Sequence, residues 1–123
     1  MPVTLRQDRR FSYVWVEDLA AVVERALDVG PGGVPPGAYN VTPGQPIGLR
    51  AIAEVVAESA GGLVQIEIVR EGLGLEYSGD GSRLAAAAPN VTTTGIAEGI
   101  QKLLGWYGER IAEIDKSALE FDR

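Results

Sequence analysis

Residues Phe11–Leu27 read FSYVWVEDLAAVVERAL, and the hydrophobic period changes partway along the stretch. Phe11 to Val16 is aromatic and β-branched, the composition of a strand. From there Leu19, Val22, Val23, Ala26 and Leu27 recur at helical spacing, and Glu17 and Asp18 stand where a helix dipole favours negative charge. A strand that runs directly into a helix is the unit from which layered α/β folds are built.

Working outward, GPGGVPPG at Gly30–Gly37 ends this helix, because proline cannot continue it and glycine supplies the turn. AYNV at Ala38–Val41 predicts a short strand, and TPGQP a turn. Leu49, Ile52, Ala53 and Val56 set a second helix over Leu49–Ser59, stopped by Gly61 and Gly62. Val64, Ile66 and Ile68 alternate with Gln65 and Glu67, a strand with one wet face. A loop follows from Val69, and a last helix opens at Gly95 with Ile96, Ile100, Leu103, Leu104, Tyr107, Ile111 and Ile114 on one stripe. The expected fold is α/β, or α+β in the same element order: one small layered domain over residues 1–123 with about three short strands and three helices. Residues 116–123 are expected to be a frayed tail.

Composition narrows the function. A length of 123 residues suits one domain, and 46% hydrophobic with 23% charged residues describes a folded globular chain. A net charge of -6 with only 11 Lys and Arg argues against nucleic acid, since phosphate neutralisation needs a basic face. The longest apolar run, Leu84–Pro89, falls far short of the roughly 18 residues of a membrane span. With no cysteine, the cytoplasm is the expected compartment. Histidine is absent too, which removes Cys/His zinc sites and Ser-His or Cys-His nucleophile pairs. No glycine-rich dinucleotide fingerprint or P-loop is present.

The stretch VREGLGLEYSGDGSR at Val69–Arg83 is the richest in site-like features. An arginine followed by glycines, an aromatic and an aspartate leaves room for a ligand, because glycine admits close backbone approach and a guanidinium offers a bidentate fork to phosphate. For Arg70 a solvated strand-end arginine competes with a ligand role. For Asp80 an Asx-turn or a cap over Ser82 and Arg83 is the favoured reading. Glu17 and Asp18 read as dipole partners rather than a paired-carboxylate site, and Tyr13 and Trp15 as core or interface aromatics.

Four blocks then stand in sequence: FSYVWVEDLAAVVERAL, GAYNVTPGQPIGLRAIAEVVAE, REGLGLEYSGDGSRL and TTTGIAEGIQKLLGWYGER. In order and spacing they resemble the C-terminal portion of the extended short-chain dehydrogenase/reductases, the NAD-dependent epimerases and dehydratases that act on nucleotide sugars. The family pattern is similar to F-x-x-V-x-D-L-A, Y-N-V-G, R-x-G-D and D-x-S-K/R, ahead of a helix with E-G-L and W-Y. The resemblance runs from Phe11 to Arg110. It departs at Leu73, where R-x-G-D has aspartate, at Thr42, where Y-N-V-G has its glycine, and at Gly48, where a serine or threonine cap is usual.

The resemblance implies that Arg70 reaches the pyrophosphate of a nucleoside-diphosphate sugar and that Tyr77 limits the sugar pocket. A second phosphate arginine is implied where Phe11 stands, with Arg9 and Arg10 adjacent. It also implies NAD(P) as the cofactor of a full-length enzyme, bound by a Rossmann half that this chain lacks. The residues four beyond Tyr13, Tyr39, Tyr77 and Tyr107 are Glu17, Pro43, Gly81 and Ile111, so the family's Tyr-x-x-x-Lys proton-exchange pair is missing. The expectation is a substrate-binding portion with no catalytic residue and no cofactor of its own. The alternative is a free-standing interaction module that associates with itself or with a Rossmann-type partner. Apolar surface is expected around Val14, Val16, Val22, Val23, Tyr39 and Val41.

Overall fold

The computed structural model describes residues 3–28, 30–62, 64–115 and 117, so the expectation of a frayed tail lies, apart from Ser117, outside the described residues. A strand passed over in the sequence opens the chain. β1 (Val3–Asp8) lies parallel to β4 (Ile66–Leu73), with Leu5 opposite Ile68 and Gln7 opposite Arg70. A parallel pair needs a crossover. Here it carries α1 (Val16–Leu27), β3 (Ile47–Gly48) and α2 (Leu49–Ser59).

Beyond β1 the chain stays extended into β2 (Arg10–Phe11), which pairs antiparallel with β3. On the other edge, Gly74 N–H donates to Asp8 O at 2.8 Å and Tyr77 N–H to Arg10 O at 3.0 Å. Val3–Phe11 is therefore a spine. β4 and its continuation to Tyr77 run along one edge, and β3 closes the far end of the other.

α2 packs against β1, β4 and α4 (Ile96–Glu109), with Ala53 and Ala57 buried at the contact. Small residues let the helix approach, while Ile66 and Ile68 are half-buried and Glu67 and Val69 stay exposed, as the alternation predicts. The remaining buried apolar side chains among the described residues are Val22, Leu84 and Ile100. The core is thin.

The mixed α/β class agrees with the sequence reading, but four element assignments are corrected. Only Phe11 of FSYVWV is in a strand; Ser12–Trp15 is irregular and α1 starts at Val16. Ala38–Val41 is not a strand either. Neither segment has a ladder neighbour among the described residues, and side chains tether the second instead: Asn40 Nδ2 donates to Asp80 O at 3.0 Å and Thr42 Oγ1 to Gly79 O at 3.3 Å.

The third strand does not end at Ile68 but continues to Leu73, so Arg70 lies within it. Asp8 is opposite Leu73 although Gln7 is opposite Arg70, which leaves Glu71 and Gly72 as extra residues in a bulge. Gly72 has φ +81°, a conformation that glycine adopts freely. The last correction is a fourth helix, α3 (Ser82–Ala87), which folds inside the expected loop and buries Leu84.

Of the apolar surface expected from sequence, Val14, Val16 and Val23 are exposed, while Tyr39 and Val41 are half-buried. Val22 is the exception, buried at 8% exposure. α1 thus turns Val16, Val23 and Leu27 outward, with Val16 66% and Leu27 76% exposed.

Candidate functional site

Two candidate regions flank the spine, and the first is the arginine edge expected from sequence. Arg70 is exposed on β4, and its side chain has no hydrogen bond or ion pair with another described residue. Arg9 is also exposed, its stem lying over Gly74. A Cβ at Gly74 would fall 2.7 Å from Arg9 Cγ and Nε and 3.0 Å from Gln7 Oε1, so a side chain here would displace the Arg9 stem. Since Gln7 is also the register partner of Arg70, Arg70, Gln7 and Arg9 follow one another along the same ladder.

Arg10 is placed differently. Its guanidinium donates to Pro46 O at 3.2 Å and pairs with Glu76 at 3.6 Å, so it fastens the continuation of β4 to the turn before β3. Phe11, at the position of the implied second phosphate arginine, meets Tyr13 edge to face at 6.1 Å and is half-buried. Tyr77 is 78% exposed, held only by its backbone to Arg10 and Phe11. The structure therefore gathers Arg9, Arg10 and Tyr77 around the end of the spine, with Arg70 across the bulge. Of these arginines, Arg9 and Arg70 are the two whose side chains make no hydrogen bond or ion pair with another described residue.

Asp80 forms the expected Asx-turn. Ser82 N–H donates to its Oδ1 at 2.9 Å, and the Ser82 backbone and hydroxyl bonds hold the carboxyl below the usual aspartate range. Arg83 fixes the same loop from the other side, donating to Ala38 O at 3.0 Å and covering the Tyr39 ring at 4.9 Å. Sequence reading gave Arg83 no such role.

The second region is a cavity of about 590 Å³ between the Tyr13–Trp15 segment, the turn through Pro46 and the first turns of α4. Trp15 forms one wall. Its Nε1–H donates to Glu17 Oε2 at 3.0 Å, its ring lies 3.5 Å from where a Cβ on Gly99 would be, and Lys102 Nζ sits 5.8 Å from the ring centroid. Lys102 also pairs with Glu98 at 3.0 Å, the leading cause of its raised pKa, ahead of the charges of Glu17 and Asp18. Asp18, expected to serve the helix dipole, does more. Its carboxylate accepts from Thr94 N–H at 2.6 Å and Thr94 Oγ1 at 2.8 Å, joining the start of α1 to the start of α4. Burial pushes the Tyr13 phenol up, which keeps it protonated.

No group of three or more His, Cys, Asp or Glu side chains among the described residues could hold a metal ion, and no described helix is long and apolar enough to cross a membrane.

No protein-family profile matches the chain, and no curated protein matches it in sequence. Solved structures do contain its fold. The crystal structure of the Bordetella bronchiseptica enzyme WbmH in complex with NAD+ superposes with a TM-score of 0.69 over 88% of this chain, at 21% identity. The chain spans 36% of the length of that enzyme. At this identity the likeness establishes the fold: a mixed α/β arrangement that recurs as part of a larger NAD+-binding protein.

Proposed function

We propose that this chain is the substrate-binding portion of an NAD-dependent epimerase/dehydratase-like enzyme acting on nucleotide-linked sugars, and that it is not catalytically competent alone. The observation that carries the reading is the fold shared with about a third of an enzyme crystallised with NAD+. The order of the four sequence blocks from Phe11 to Arg110 supports it independently.

In this reading Arg70 and Arg9 clasp the pyrophosphate. A guanidinium meets phosphate oxygens with paired N–H donors, and Gly72 and Gly74 keep the backbone beside them open. Arg10 holds the ladder end that presents Tyr77, whose exposed ring covers the ligand. NAD(P) would accept and return a hydride at the sugar, but these residues do not fit a dinucleotide. α1 starts from Trp15 and α2 from Gly48, each extended, with no glycine-rich turn between strand and helix to cradle a pyrophosphate. No hydride or proton-transfer step is assigned to this chain.

A second reading, a free-standing module that self-associates or pairs with a Rossmann-type partner, is favoured by the outward-facing stripe of Val16, Val23 and Leu27. One titration separates the two. UDP, dTDP, GDP, two nucleotide sugars and NAD are added to the chain and to Arg70→Ala while the melting temperature is followed. A ligand that binds only the native state stabilises by about 2.7 kcal/mol at 100 times its dissociation constant. The first reading expects a nucleoside diphosphate to raise the melting temperature of the parent and not of Arg70→Ala. No shift with any nucleotide refutes it and leaves the second.

A further inference from the structure

The cavity beside Trp15 meets the arginine edge at Pro46, whose carbonyl accepts from Arg10, but the nucleotide-sugar reading makes no use of the cavity itself. Its size is within the range of small-molecule sites, about 300–1,000 Å³, and no charged residue lines it. Its shape is held open. Trp15 is fixed by the Glu17 hydrogen bond, the contact over Gly99 and the Lys102 cation, so the aromatic wall cannot swing in to fill the space. A Cβ at Gly99, in the interior of α4, would meet the Trp15 ring at ordinary van der Waals distance, so a longer side chain there enters the cavity.

We propose that this cavity binds a neutral, planar, largely apolar molecule carrying a hydrogen-bond acceptor. Neutrality follows from the lining, since an ion buried among uncharged side chains would lose its hydration without a partner. Planarity follows from the fixed face of Trp15, against which a flat ring stacks. The acceptor follows from the polar side chains in the lining, since the Gln45 amide and the Thr93 hydroxyl can donate to it. The protonated Tyr13 hydroxyl adds a further donor.

The test uses Nile red, a neutral planar dye with a carbonyl, on the Trp106→Phe variant, in which Trp15 is the sole tryptophan. Saturable one-to-one binding that quenches Trp15 emission is expected. Gly99→Leu, which fills the space from α4, weakens that binding at least tenfold. Leucine is a better helix former than glycine, so this variant keeps the helical circular dichroism of the parent. Ile96→Phe fills the cavity from another wall and is expected to do the same. Absence of saturable binding overturns the proposal. So does equal affinity in both filled variants, which would place the dye on the exposed stripe of α1. Tighter binding of the anionic dye 1-anilinonaphthalene-8-sulfonate overturns the assignment of a neutral ligand. None of these outcomes bears on the nucleotide titration of Arg70→Ala.

Discussion

Replacing Asp8 with alanine removes the cap of a helix to which it does not belong. α2 begins at Leu49 after Gly48, a residue with φ -74° and ψ 146°, the geometry of an N-cap but with no side chain to act as one. Asp8, at the end of β1, fills the role from across the fold: its Oδ1 accepts the Arg50 N–H at 3.1 Å, while Arg9 O accepts the Leu49 N–H at 2.9 Å. Loss of a capping side chain costs about 1 kcal/mol, and loss of a negative charge at a helix N-terminus adds about 0.3–1 kcal/mol. Asp8→Ala is therefore expected to lose about 1–2 kcal/mol in urea denaturation, a fall in melting temperature of roughly 3–10 °C for a domain of this size. Asp8→Asn keeps the acceptor and loses only the charge term, about 0.5 kcal/mol. The space around Gly48 supplies a control, since a Cβ there would lie 3.1 Å from Asp8 Oδ1. Gly48→Ser is thus crowded in the parent but unobstructed in Asp8→Ala, where the serine hydroxyl takes over the cap. The double variant is expected to be more stable than Asp8→Ala alone, a coupling that independent sites would not show. Alanine at position 8 within about 0.3 kcal/mol of the parent, or a serine that adds no stability in the alanine background, would refute the cross-fold cap.

The clamp between α1 and α4 makes a second case. Asp18→Ala leaves Thr94 N–H without its partner and is expected to cost about 2–3 kcal/mol, whereas Thr94→Ala removes one bond and costs about 1 kcal/mol, both read from urea midpoints. Asp80 makes a prediction about pH. Its folded pKa lies below its unfolded one, so its contribution is complete above the unfolded value and is lost as pH falls through the folded value. The Ser82 amide resonance is expected to titrate with a midpoint below that of an unstructured aspartate, and an unshifted midpoint would sink the Asx-turn.

Legibility in the sequence followed the range of the interactions. Three of the four helices were read from apolar periodicity within single segments, and the Asp80 turn from residues two apart. Asp8 and Asp18 act on partners 42 and 76 residues away, and a local capping rule cannot see an acceptor delivered by the fold. Arg70 was found because the Val64–Ile68 alternation led to it, yet its strand was cut short. Gly72 carries the same letter whether it ends a strand or bulges within one, and only the register decides. The Trp15 cavity left no local signal, because its wall and the glycine that makes room for it are 84 positions apart in the sequence, Trp15 against Gly99.

The two failed strand assignments have a common physical cause. Ser12–Trp15 and Ala38–Val41 have strand-like composition, but a strand exists only where a neighbour completes its hydrogen bonds. Among the described residues neither has one. They bracket α1, whose outward apolar stripe likewise has nothing against it. Composition suited to pairing and a helix face suited to burial go unused together, among the described residues, in one continuous stretch from Ser12 to Val41. At least half of the same stretch lies within the fold shared with a longer enzyme, of which this chain spans 36%. The arginine edge, by contrast, is built entirely from contacts internal to the chain, from Gly74 against Arg9 to Arg10 against Pro46. The phosphate site proposed there draws only on contacts the chain makes with itself, which is why nucleotide binding, rather than turnover, is the activity to seek in the isolated chain.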